Sequence, residues 1–247
     1  MPDHAGFAAA LTVRQQVLSD ALLFAYSQAK VEMRLDKIPI RPYVSLRFVG
    51  DVKGTAGPEA AVVPQYLSES SVIAALGIGT KVWHGIYGWF EAGEALRYWH
   101  KENTGFMVPD YRGGVSATRG FGHLLSGAGH GYFAETANDA VFVSNFGDDT
   151  LVYSQSRTGY TFHPPENMGG FQVQLYWNWN VTVDFKRQYW ANYVETGPGI
   201  RMRIPSFPRH MLLSVDALRG FYLINEGNPR APVYNDLRAG IWYAFTH

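Results

Sequence analysis

Between Phe171 and Asp184 every odd position is large and apolar and every even position carries a polar group, in the run Phe-Gln-Val-Gln-Leu-Tyr-Trp-Asn-Trp-Asn-Val-Thr-Val-Asp. A β-strand with that alternation has one wholly apolar face and one wholly polar face. The apolar face holds Phe171, Val173, Leu175, Trp177, Trp179, Val181 and Val183. It runs unbroken for about twice the roughly five or six residues of an ordinary strand. Such a strand is long enough to cross a bilayer, which takes roughly nine to eleven tilted residues.

Composition narrows the possibilities. Lysine and arginine number 21 and so do aspartate and glutamate, so net charge provides no long-range attraction to nucleic acid or to an anionic surface. Charged residues make up 17% of the chain, against roughly 25% in soluble domains. With 15% aromatics and 26 glycines, this profile suits strands with a lipid-facing or tightly packed side. Cysteine is absent, which removes a disulfide framework, a thiolate metal site and a thiol nucleophile. There is no apolar run of about twenty residues, which excludes a transmembrane helix but leaves a barrel open. The start, Met1-Pro-Asp-His-Ala-Gly, shows no basic segment followed by an apolar core, so it reads as a cytosolic start or as a domain of a longer exported precursor.

Residues 7–26 mix Ala, Leu, Val and Gln at a spacing closer to helical, with a cap or break at Ser19 and Asp20. Residues 1–28 are therefore expected to form a short N-terminal helical or plug segment, with a β-barrel domain over 29–247. From Ala29 the period is two, and a turn at Lys37–Pro39 folds the chain into a hairpin with Val44, Leu46 and Phe48. Residues 53–67 are too rich in Gly and Pro for a strand. Further strands are expected at about 72–82, 84–99, 110–119, 131–145, 150–162, 171–184, 192–204, 211–223 and 236–246. That makes eleven strands, whereas a closed bacterial barrel has an even number. The twelfth is expected in the first 28 residues or upstream.

Alternation alone does not separate a soluble sandwich from a membrane barrel, so the polar faces must decide. Arginine outnumbers lysine 15 to 6. Tyr193, Glu195, Gly197, Gly199, Arg201 and Arg203 share one polar face, and Asp236, Arg238, Gly240 and Trp242 another. Arginine and carboxylates interleaved with glycine suit a crowded, partly hydrated lumen, where guanidinium groups pair with neighbours. The expected channel wall is Arg112, Arg157, Gln172, Gln174, Tyr176, Asn178, Asn180, Tyr193, Glu195, Arg201, Arg203, Arg238 and Trp242, with Trp177 and Trp179 as lipid- or interface-facing anchors. Some of these arginines have the alternative role of bracing the interior through Glu195, Asp216 or Asp236.

Other chemistry finds little support. Walker, dinucleotide and His-Glu-x-x-His patterns are absent. Gly77 and Gly79 are expected to serve close strand packing. Glu91 and Glu94 lie three apart and so point to opposite faces of a strand. Asp148 and Asp149 sit at a hairpin tip, and His123 and His130 flank a glycine-rich loop without an evident third ligand. No metal or cofactor is expected. A rim-located enzyme would need a nucleophile and base that no pair in the sequence supplies, so the chain is expected to be non-enzymatic.

Several runs resemble the C-terminal domain of the bacteriophage adsorption protein A family, called NfrA-like. They are Arg41-Pro-Tyr-Val-Ser-Leu-Arg-Phe-Val-Gly-Asp51, Pro64-Gln-Tyr-Leu-Ser-Glu-Ser-Ser-Val72, His84-Gly-Ile-Tyr-Gly-Trp-Phe-Glu-Ala-Gly-Glu94, Pro109-Asp-Tyr-Arg-Gly-Gly114, Gln188-Tyr-Trp-Ala-Asn-Tyr-Val-Glu-Thr-Gly-Pro-Gly199, Asn225-Glu-Gly-Asn-Pro-Arg230 and the end from Asp236 to His247. The likeness covers most of the chain from about residue 25. It implies a transmembrane β-barrel in the bacterial outer membrane, normally preceded by a signal peptide and periplasmic helical repeats. It also implies a role in exporting a surface polysaccharide, in concert with inner-membrane synthesis machinery, and exposed loops that a phage tail protein uses for attachment. The expectation is thus an all-β, antiparallel barrel of about twelve strands acting as a pore or polysaccharide exit channel. The alternative is a soluble carbohydrate-binding β domain whose tryptophans line a sugar groove.

Overall fold

The computed structural model describes residues 7–18, 23–33, 35, 38–51, 71–97, 107–125, 129–144, 147–163, 171–203, 211–227 and 232–246. Within them run twelve strands: β1 (Phe7–Leu18), β2 (Leu23–Met33), β3 (Ile40–Asp51), β4 (Ser71–Trp83), β5 (Ile86–Arg97), β6 (Met107–Gly122), β7 (Gly131–Val143), β8 (Asp149–Phe162), β9 (Gln172–Asp184), β10 (Tyr193–Arg203), β11 (Leu212–Tyr222) and β12 (Val233–Thr246). Each strand pairs antiparallel with its neighbours in sequence, and β1 pairs with β12 from Ala8↔Thr246 to Leu18↔Asp236. The sheet is therefore a closed barrel without a free edge. Strand lengths of 11 to 16 residues match or exceed what a tilted bilayer crossing requires.

The helical expectation for the N-terminal segment is corrected: residues 7–18 and 23–33 are strands. A period of two lies beneath the alanine-rich start, with Leu11, Val13 and Val17 alternating with Thr12, Arg14 and Gln16. Closure supplies the decisive stabilisation, because β1 satisfies the backbone N–H and C=O rows of both β2 and β12 along its length. The twelfth strand thus lies within the first 28 residues, and the boundary expected at 28/29 falls inside β2. The loop expected over 53–67 lies outside the described residues.

Burial is inverted relative to a soluble sheet. Along β9 the even residues from Gln172 to Asp184 are buried, whereas Leu175, Trp177, Trp179 and Val181 are exposed. The same holds elsewhere: Tyr43, Ser45 and Arg47 of β3 are buried between exposed Val44, Leu46 and Phe48. The polar faces line the interior and the apolar faces form an outer belt. Connections at the end carrying Phe7 and Thr246 include the two-residue turn His84-Gly85, where Gly85 takes the left-handed φ of 73°. The longest connection, 52–70, is at the opposite end.

Candidate functional site

Inside the barrel, three rows share one design. A row is a set of residues directly opposite one another on successive strands, and all three contain a tyrosine, a glycine and an acid. They are Tyr43, Gly77 and Glu91 on β3–β5, Tyr176, Gly199 and Asp216 on β9–β11, and Tyr234, Gly220 and Glu195 on β12–β10. In each, a Cβ on the glycine would overlap the tyrosine ring, so the missing side chain lets the ring lie against the wall. In two rows the phenol spans the glycine strand to reach the acid: Tyr43 Oη donates to Glu91 Oε2 at 3.2 Å and Tyr234 Oη to Glu195 Oε1 at 2.8 Å. Gly77 therefore serves close packing, and Gly79 does likewise beneath Tyr87.

Cations complete two of these rows. Arg47 pairs with Glu91, which also accepts from Ser45 Oγ at 3.3 Å. Arg238 bridges Glu195 and Asp236, with Nε donating to Asp236 Oδ2 at 2.6 Å. Asn180 Nδ2 donates to Glu195 Oε2 at 3.3 Å and Asn178 Nδ2 to Asp216 Oδ1 at 2.8 Å. Desolvated charges of this kind persist only when paired and hydrogen-bonded.

A second set of charges is only partly covered. Glu135 lies between Arg157 and Arg201, each at 3.0 Å, and both guanidiniums stand over the Tyr176 ring, with centroid distances of 5.4 and 5.9 Å. Arg201 also donates to Gln174 Oε1 and Arg157 to Asn178 Oδ1. On the opposite wall Glu32 pairs with Lys30 at 3.3 Å and Arg41 at 3.1 Å and accepts from Tyr87 Oη at 3.1 Å. Arg112 grips Asp110 through two bonds of 2.7 Å.

The expected wall residues Arg112, Arg157, Gln172, Gln174, Tyr176, Asn178, Asn180, Tyr193, Glu195, Arg201, Arg203 and Arg238 all lie on inward-facing strand positions. They do not form one surface. Gln174, Asn178, Asn180 and Glu195 are wholly enclosed by neighbours, whereas Arg157 and Arg201 keep part of their surface open. Trp242 pairs in register with Thr12 and Leu212, and its side chain lies outside the description. Trp177 and Trp179 face outward. Of the braces anticipated for the arginines, Glu195 and Asp236 both hold Arg238.

Several members were missed. Glu135 was findable, since it stands opposite Arg157 in a hairpin whose turn at 146–149 is visible in sequence. The pairing of Glu91 with Arg47 was not, because it spans two strand spacings and a connection of unknown register. Glu91 is buried inward and Glu94 exposed outward, as their spacing requires. At the hairpin tip Thr150 N donates to Asp149 Oδ1 at 2.7 Å, a turn contact. Among the described residues there is no group of three or more His, Cys, Asp or Glu placed to hold a metal.

At the end carrying the termini, the chain after β6 folds into the lumen. The His123 carbonyl accepts from Thr161 Oγ1 and, at 3.4 Å, from Gln174 Nε2. The Leu125 carbonyl accepts from Arg203 Nη1 at 3.3 Å, and the Leu125 side chain is buried. Three inward strands thus hold this segment against the wall.

No family model matches the chain, and no curated protein matches it. Among solved structures it is similar to the beta domain of the Bordetella autotransporter Brka, at 15% identity over 98% of this chain and 99% of that one, with a TM-score of 0.43. It is also similar to an outer membrane channel from Pseudomonas putida F1, at 10% identity over 100% and 97%, with a TM-score of 0.46. A third is LpxR from Salmonella typhimurium, at 8% identity over 96% and 99%, with a TM-score of 0.44. The expectation of a non-enzymatic chain is corrected here: a closed barrel does not by itself exclude catalysis, because activity resides in sites carried on a fold and not in the fold.

Proposed function

We propose that this chain is a bacterial outer-membrane β-barrel that passes a hydrated solute along a charge-lined lumen. The observation that carries the reading is the inversion of burial. Trp177 and Trp179 are 46% and 54% exposed while Asn178 between them is 0% exposed. A soluble carbohydrate-binding domain would bury the tryptophan face, whereas a bilayer solvates an exposed apolar belt and leaves the polar face to the interior. Backbone satisfaction around a closed ring meets the other demand of hydrocarbon. The long 52–70 connection favours an orientation with that end outside the cell and the termini toward the periplasm.

The finer reading follows the resemblance: an exit channel for a surface polysaccharide, supplied by inner-membrane synthesis machinery, with outer loops that a phage tail protein grips. A hydrated glycan suits the half-open Arg157, Arg201 and Glu135, because its hydroxyls exchange water for these groups at little net cost. The test starts with heat-modifiable gel migration after detergent extraction, then ion currents in planar bilayers. Folded, inserted protein without current would overturn the channel. Monodisperse protein without detergent would return the soluble alternative.

A further inference from the structure

A cavity of about 450 Å3 opens on the lumen wall beside the network of Tyr43, Glu91 and Arg47, bordered by Lys30, Arg47, Trp89, Arg112, Asp139 and Tyr153 among others. Its cations are already matched: Lys30 by Glu32, Arg47 by Glu91 and Arg112 by Asp110. Asp139 differs. It lies on the inward face of β7, directly between Ser116 and Tyr153 in register. It has no hydrogen bond or ion pair with any described residue, and it is only partly covered. A carboxylate offers about four acceptor sites, and no described residue fills any of them.

Aromatic surface stands beside it. Trp89 projects inward from β5, and its Nε1 donates to Ser116 Oγ at 3.3 Å, which sets the indole's orientation. Tyr87, Ser116, Asp139 and Tyr153 lie opposite one another on β5–β8, and the same row continues through Thr182 to Tyr193 and Tyr222. A rigid apolar ring next to an unmet carboxylate complements a pyranose, whose C–H face packs on an aromatic while adjacent hydroxyls donate to the acid. The volume falls within the roughly 300–1,000 Å3 of small-ligand sites.

We propose that this cavity is a saccharide-binding subsite, with Trp89 as its stacking platform and Asp139 as acceptor for two neighbouring sugar hydroxyls. The inference deepens the channel reading and rests on it insofar as solute must reach the lumen. Three trisaccharides serve as probes: cellotriose, maltotriose and the β-1,4-glucosamine trimer. Each is titrated by calorimetry against the full chain in detergent and added to the same protein in planar bilayers. At least one is expected to bind and to interrupt the current. Asp139→Asn should weaken binding about tenfold or more, the effect of losing hydrogen bonds to a charged acceptor. Trp89→Ala should abolish it and Trp89→Phe should retain part. Asp139→Asn leaves no described partner unpaired, so it keeps the test decisive if Trp89→Ala does not fold. Absence of binding by all three, or binding equal in folded Asp139→Asn and wild type, overturns the subsite. Current without binding leaves the channel standing and removes the subsite; binding without current does the reverse.

Discussion

Two inward carboxylates, Glu195 on β10 and Asp139 on β7, occupy the same face of the same barrel and have opposite surroundings. Glu195 is 1% exposed and meets Arg238, Tyr234 and Asn180, whereas Asp139 is partly open and has no partner among the described residues. Inward polarity therefore does not define a role. Neighbours one and two strands away convert one acid into a brace and leave the other able to meet a ligand.

The comparison breaks most sharply at Glu195. Glu195→Gln leaves the buried Arg238 with Asp236 as its remaining carboxylate, and should cost about 3–5 kcal/mol of folding stability in urea titrations from detergent or lipid. A loss within about 1 kcal/mol would show that this half of the lumen is not braced by charge. On the outer surface, Leu175→Arg should cost about 2–4 kcal/mol if the residue sits near the bilayer midplane. An unchanged stability in lipid vesicles would place that face in water. Gly220→Val forces a side chain into the Tyr234 ring and should cost about 1–3 kcal/mol by overpacking. The double variant with Tyr234→Ala should recover part of this, and its failure to do so would separate the glycine from the ring. The smallest stability effect belongs to Glu135→Gln, about 1 kcal/mol or less because the carboxylate is partly solvated. Its larger consequence should be a shift of ion selectivity toward anions, as Arg157 and Arg201 lose their shared counter-charge. Unaltered reversal potentials in a salt gradient would remove these residues from the conduction path.

Much of the wall was legible because parity along a strand is a local property. Once Trp177 and Trp179 are assigned to one face, Gln174, Tyr176, Asn178 and Asn180 must take the other. Glu135 and Arg157 were within reach of the same reasoning, since a short hairpin transmits its register from the turn. Arg201 meets the same Glu135 from 66 positions away, across two intervening strands, and no local pattern encodes that distance. Neither could local pattern reveal that Asp139 has no partner among the described residues. The N-terminal segment misled for a related reason: Ala8, Ala9 and Ala10 favour a helix in isolation, but the hydrogen bonds offered by two otherwise open edges outweigh a propensity of tenths of a kcal/mol per residue.

The sequence by itself determined that this chain forms long two-faced strands, with arginine, acids, tyrosine and glycine gathered on one side. That follows from the pleat, which sends successive side chains to opposite faces whatever the fold. Tertiary structure decided which side is inside, because that depends on the curvature of the closed sheet and on β1 meeting β12. It also decided which inward charges are consumed as partners and which remain available, because those contacts arise only when separate strands are brought into register around one lumen.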